Sequence, residues 1–161
     1  MTPKKVRVYV ETSVWNFVFA DDAPTRRDAT RRFFEEVRKG AFEVFLSDVV
    51  LDEIKAAPEP RRSELDALIG EIGPKILDSS DETDELAASL LAGHTIPDKY
   101  DNDAKHIAIA VVENMDVLLS WNFKHIVKMT TRRVVAATSR LNGYKEIEIA
   151  TPEEVIDDDS E

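Results

Sequence analysis

Val6-Arg7-Val8-Tyr9-Val10-Glu11-Thr12-Ser13 is the stretch on which the reading of this chain turns. Its first five residues, dominated by β-branched and aromatic side chains, predict a buried strand. The strand stops at a carboxylate followed by two hydroxyls, and an apolar helical stretch begins at Ser13. Further strand-like runs follow at 42–47, 75–78 and 117–120, each separated by helical runs at 25–39, 49–57, 61–70 and 81–92. Asp48 and Asp98 are placed as helix caps, the second opening a helix whose Ala104, Ile107, Ala108, Val111 and Met115 form one apolar stripe. Residues 121–128 and 130–141 also read as helical, and 146–150 as a last edge strand. Strand and helix in alternation predict an α/β fold: a mainly parallel central sheet with helices on both faces.

In such a sheet the strand exits share one edge, so acids just beyond them converge although they are distant in sequence. Glu11 follows the first strand directly. Glu53 lies four residues after Val49 and three after Val50, beside the helix face that packs on the sheet. Asp103 is in line with Ile107 and Ala110 at the rim of the apolar stripe. Asn122 comes immediately after the fourth strand. Three converging carboxylates cannot all stay charged without a cation, which makes a divalent-metal site the first expectation and phosphate chemistry its natural use. Each residue also has a plainer role. Glu11 serves as a first solvated residue or helix cap, Thr12 and Ser13 as caps, Asp101 and Asp103 as first-turn partners of the helix dipole, and Asn122 as a cap. What lifts the four above these roles is that all fall on one predicted sheet edge.

The bulk numbers narrow the classes. At 161 residues the chain is expected to form a single domain over 1–150, followed by an acidic C-terminal tail over 151–161. Six acids fall between Glu153 and Glu161, and a solvated end is the expectation there, although Thr151-Pro152-Glu153-Glu154 has the pattern of a helix start. With 43% hydrophobic and 33% charged residues the composition is that of a soluble globular protein. The absence of cysteine excludes a disulfide framework, a thiolate metal site and a cysteine nucleophile. No run is long and apolar enough for a signal peptide or membrane span, so no membrane association and a cytoplasmic location are expected. A formal net charge of -11 argues against holding nucleic acid by simple charge neutralisation.

The remaining candidates are weaker. Buried histidines are most often satisfied structural residues, which is the expectation for His106; His94 and His125 show no pattern. Trp15, Phe17, Phe19 and Trp121 can stack bases, but core or dimer contact is the commoner use. Arg26, Arg27, Arg31 and Arg32 crowd one helix, where an ion-paired solvated face competes with phosphate contacts.

Four segments together resemble a known family. Tyr9-Val10-Glu11-Thr12-Ser13-Val14-Trp15-Asn16-Phe17, Ser47-Asp48-Val49-Val50-Leu51-Asp52-Glu53-Ile54, Asn102-Asp103-Ala104-Lys105-His106-Ile107-Ala108 and Ser120-Trp121-Asn122-Phe123-Lys124-His125-Ile126 are similar to the four motifs of the PIN-domain ribonucleases, and in particular to VapC-like toxins of toxin-antitoxin pairs. The resemblance implies a three-layer α/β/α sandwich and a Mg²⁺ or Mn²⁺ site made by Glu11, Glu53 and Asp103, with Asn122 at the fourth position. It also implies cleavage of single-stranded RNA, by a homodimer restrained by an antitoxin protein. The first motif carries Glu11 where the family most often has Asp, and the fourth has the neutral Asn122 where Asp is usual.

The leading expectation is therefore metal-assisted phosphodiester hydrolysis by Glu11, Glu53, Asp103 and Asn122, supported by Thr12 and Ser13. The alternative is a PIN-fold RNA-binding module with weak or no activity. A phosphoacceptor switch, the third class, needs an acidic pair after the first strand, where this chain has Thr12 and Ser13.

Overall fold

The chain's central strands are apolar enough to be covered on both sides, and that is how they lie. The computed structural model describes residues 4–156. Strands β1 (Val6–Val10), β2 (Phe42–Ser47), β3 (Lys75–Leu77), β4 (Val117–Leu119) and β5 (Glu148–Ala150) form one sheet in the order β3-β2-β1-β4-β5. All neighbouring pairs are parallel. Val8, Tyr9, Val10, Leu46, Leu118 and Leu119 are fully buried, as expected for strands sandwiched between helices.

The helices are α1 (Thr12–Phe17), α2 (Pro24–Arg38), α3 (Asp48–Lys55), α4 (Arg61–Ile72), α5 (Asp81–Ala92), α6 (Asp101–Val112), α7 (Met129–Leu141) and α8 (Pro152–Val155). On one side α1, α2, α4 and α8 pack together, and on the other α5 meets α6 and α7. The predicted stripe of α6 is wholly buried, from Ala104 through Met115. Strand order reverses between β1 and β4, whose register pairs Val10 with Leu119. At such a switch point the flanking loops part and leave a crevice beyond the strand ends. Glu11, just past β1, and Ser120, just past β4, are neighbours there: the Glu11 N–H donates to the Leu119 carbonyl at 3.0 Å.

Four local expectations need correction. Residues 121–128 are not helical but a run of turns. Asn122 Oδ1 accepts the backbone N–H groups of Lys124 and His125 at 3.1 and 2.9 Å, offering the chain a side-chain-closed turn in place of helix. The N-cap of α3 is Ser47 and not Asp48: the Ser47 hydroxyl accepts the Val49 N–H at 3.2 Å, and Asp48, the first helical residue, shares that N–H through Oδ1 at 2.9 Å. Asp98 opens a short 3-10 turn, Asp98–Tyr100, ahead of α6. The boundary drawn at residue 150 falls inside packed structure. Thr151 and Glu154 close a capping box around α8, Pro152 is buried, and Glu154 pairs with Arg132 at 3.6 Å, so the first two tail acids are structured. Asp157, Asp158, Asp159 and Glu161 lie outside the described residues. No helix among the described residues is long and apolar enough to cross a membrane.

Candidate active site

Glu11 ends β1 as the N-cap of α1, so its plainer role as a cap is real. The Ser13 N–H donates to Oε2 at 3.2 Å and the Ser13 hydroxyl to Oε1 at 2.6 Å. Ser120, delivered by β4, also donates to Oε1 at 2.6 Å. The carboxylate is only 5% exposed, and three donors from two strand exits hold it there. Ser13 in turn accepts the Trp121 N–H at 2.8 Å, which locks the loop after β4 onto α1.

Thr12, the next residue, donates to Glu53 Oε1 on α3 at 2.9 Å. The same oxygen meets His106 Nε2 at 2.5 Å. His106 comes from α6, one turn beyond Asp103, and its Nδ1 faces the Tyr9 hydroxyl at 2.7 Å. Tyr9 also contacts Ser47 Oγ at 2.7 Å. A fully buried polar chain therefore runs from β2 through β1 to α6 and ends on the Glu53 carboxylate. His106 is the satisfied structural histidine the sequence suggests, and one of its two partners is a candidate ligand.

Asp103 sits in the first turn of α6, where its Oδ2 meets His125 Nδ1 at 2.9 Å. His125 is set by the Asn122-closed turn, and the Asn122 N–H donates to Ser120 Oγ at 2.9 Å. The contacts close on themselves. Glu11, Thr12, Glu53, His106, Asp103, His125, Asn122 and Ser120 form one loop of side chains around the crevice, each joined to the next by a hydrogen bond, by chain adjacency or by one helical turn. Asn122 builds this loop through its amide oxygen, which is spent on the turn. Asp52 points to solvent, as expected.

Charge makes the crevice a single electrical unit. Burial raises the Asp103 carboxyl above the usual carboxylate range; the His125 hydrogen bond opposes this, and the negative charge of Glu11 adds to it. Burial also works to raise Glu53, but the His106 hydrogen bond and charge, with Thr12, outweigh it and hold the carboxyl low. At His106 burial opposes charging, and the Glu53 hydrogen bond with the charges of Glu11, Glu53 and Asp103 prevails, lifting the imidazole above its ordinary value. Burial pushes the Tyr9 hydroxyl well up, the Ser47 bond resisting and the charges of Glu11 and Glu53 assisting.

A hard divalent cation fits this set in chemistry: carboxylate and hydroxyl oxygens are the donors that Mg²⁺ and Mn²⁺ select. Relief of the Glu11–Asp103 repulsion is the electrostatic reason for one to enter. Among the described residues no three carboxylate or imidazole groups are gathered into a ready coordination shell. Each carboxylate is turned to its own hydrogen-bond partner instead. Ligation would require Glu53 and Asp103 to exchange or share their histidine contacts.

The Glu53–His106 pair carries a pH signature for stability. A histidine raised in the folded state contributes fully below its unfolded value near 6.5 and loses that contribution as pH climbs through the raised value. A depressed carboxyl contributes above its unfolded value near 4.3 and loses it only as pH falls through the lowered one. In chelator-treated protein the pair's contribution is thus whole between these limits and declines on the alkaline side. Denaturant unfolding should therefore give lower stability at about pH 9 than at about pH 6, and His106→Gln should flatten the difference. An undiminished slope in the variant would remove His106 as its source.

Comparison with known proteins bears on the family. A family model described as PIN domain matches residues 8–125, the span that contains Glu11, Glu53, Asp103 and Asn122. The chain belongs to the PIN-domain family. Among solved structures, this PIN domain is similar to a chain in the crystal structure of VapBC2 from Rickettsia felis bound to a DNA fragment from their promoter. The sequence identity is 15% and the TM-score 0.57, covering 91% of this chain and 98% of that one. At that identity the likeness speaks for the fold, a parallel five-stranded PIN sheet between helical layers. No curated protein matches the sequence.

Two residues that hold the candidate site together carry little signal in the sequence. Ser120 read as the end of a strand. His125 showed no periodicity, and its one clue was its place three residues after Asn122.

Proposed function

We propose that this PIN domain is a divalent-metal-dependent endoribonuclease that hydrolyses phosphodiester bonds of single-stranded RNA. In this reading Glu11, Glu53 and Asp103 hold one Mg²⁺ or Mn²⁺ ion. The observation that carries it is the closed loop of contacts, which brings three carboxylates from three separate elements to the switch point of one sheet and biases Asp103 through the charge on Glu11. Such an ion, when bound, supplies the charge that polarises a phosphoryl oxygen and acidifies a water.

The protein's own groups do the positioning. His106 and His125 hydrogen-bond Glu53 Oε1 and Asp103 Oδ2 and hold those carboxylates in place, and an ion would share these oxygens with them or draw on the second oxygen of each. Ser13 and Ser120 hold Glu11, and Thr12 couples that end of the crevice to Glu53. Asn122 keeps the β4 exit in its turn, so its neutrality at a position where an acid is usual fits a role in building the crevice. Cleavage of single-stranded RNA that needs Mn²⁺ or Mg²⁺ and stops on chelation is the test; its absence under both ions would favour the RNA-binding module instead.

We also propose that the protein is the toxin of a toxin-antitoxin pair, acting in the cytoplasm as a homodimer. Family membership and the likeness to the VapBC2 structure support this reading. A protein encoded beside it should form a stable complex with this chain and suppress its RNA cleavage. Failure of every neighbouring product to bind would leave a solitary nuclease.

A further inference from the structure

Cations and aromatic rings adjoin the acidic crevice. The turn after β4 places Phe123 and Lys124 side by side immediately beyond Asn122. Phe123 is a large apolar side chain left 44% exposed. The Arg26 guanidinium of α2 lies 4.7 Å from its ring centroid. Lys124 Nζ lies 5.6 Å from the Tyr100 ring, and Lys99 Nζ 5.1 Å. Tyr100 itself packs on His125, ring centroids 4.1 Å apart and planes tilted by 39°, and His125 is the partner of Asp103. One cation-bearing ring thus adjoins the Asp103 end of the crevice through His125, and the other directly follows Asn122, in a chain whose net charge is -11.

The other aromatic side chains weighed for stacking are less available. Trp15 is fully buried, and Trp121 is 5% exposed with its indole N–H spent on Thr30. Phe17 and Phe19 are partly buried against the core. The helix rich in arginine divides as well: Arg27 is taken up by Asp21 and Asp28, and Arg31 by the Val18 carbonyl, while Arg26 leans over the exposed ring.

We propose that this rim is the strip that grips single-stranded RNA: an unpaired base stacks on Phe123, while Arg26, Lys99 and Lys124 engage the phosphates on either side of the one presented to the carboxylates. The inference rests on the nuclease reading above and adds how the substrate is held. Every base has a π-face, so an aromatic platform binds with little sequence preference, but duplex bases keep those faces stacked and hidden. The cations answer a problem the carboxylates create. A strand drawn towards an acidic crevice needs positive charge at its edges, and the cations on these two rings are placed to provide it.

The test is binding of a short fluorescein-labelled oligouridine by the full-length protein in chelator, followed by anisotropy, beside cleavage of the same oligonucleotide in Mn²⁺. Phe123→Ala should weaken binding by about 5- to 150-fold, the range for losing one base–aromatic stack, while Phe123→Trp keeps it within about twofold. Arg26→Ala should weaken binding and reduce the slope of log affinity against log salt by about 0.7, the single-strand contribution of one phosphate contact. Phe123→Ala should leave that slope unchanged, which separates stacking from charge. Unfolding temperatures of the variants identify any loss that comes from misfolding, and Phe123→Trp and Arg26→Ala keep the inference open to refutation in that event. Cleavage in Mn²⁺ with the binding of both alanine variants equal to wild type would overturn the strip and leave the nuclease standing. A wild-type protein that neither binds nor cleaves the oligonucleotide would overturn both.

Discussion

Replacing Asp103 by asparagine is expected to lower metal-dependent RNA cleavage by at least about 100-fold, the upper end of what losing a mere supporting partner of a metal ligand costs. The fold should survive. Burial and the charge on Glu11 already disfavour ionised Asp103, and an asparagine oxygen can still face His125 Nδ1 at the 2.9 Å the carboxylate occupies. The chelator-treated variant should therefore unfold at or slightly above the wild-type temperature. Loss of cleavage together with an unshifted unfolding curve assigns the effect to ion binding. Equal losses of both would make Asp103 a structural residue and withdraw it from the site. Glu53→Gln is the less clean variant, since it also removes the negative charge that offsets burial of His106.

Trp15→Ala should give the largest loss of stability among single changes near the site, about 3–5 kcal/mol. The indole is fully buried, donates to the Val10 carbonyl at 3.0 Å, and packs against Phe34 with ring centroids 5.0 Å apart. It is also the anchor of α1, the short helix that begins with Thr12 and Ser13. A chain of this size should lose on the order of 10 °C in unfolding temperature. Cleavage measured well below that temperature should fall as well, because Glu11 loses the rigid helix start that orients its donors. A shift under about 2 °C would mean that the space collapses without cost and that α1 is held some other way.

These consequences trace how far the sequence carried the argument. β1 and the acid at its end were legible because its last three residues, Val8, Tyr9 and Val10, are apolar or aromatic and fully buried, so a carboxylate directly after them stands out. Glu53 and Asp103 were legible because helical spacing set them at the rim of apolar faces, where a carboxylate without a task is expensive. The bonds that fix those acids were not. His125 reaches Asp103 across 22 residues, and Ser120 reaches Glu11 across 109, and separations of that kind have no period to betray them. The segment 121–128 resembled a helix in its pattern of apolar residues, yet Asn122 takes the backbone donors that helix would use. The Thr151–Glu154 capping box was readable, but its packing against α2 depends on a tertiary contact that composition conceals beneath an acidic run.

The sharpest test of the account is calorimetric titration of Mn²⁺ and Mg²⁺ into chelator-treated protein, without RNA. The account predicts saturable binding in the wild type, weakened at least about tenfold in Glu11→Gln, Glu53→Gln and Asp103→Asn and unaltered in Asp52→Asn, whose side chain faces solvent. Heats that never saturate, or an affinity indifferent to all three crevice substitutions, would contradict it.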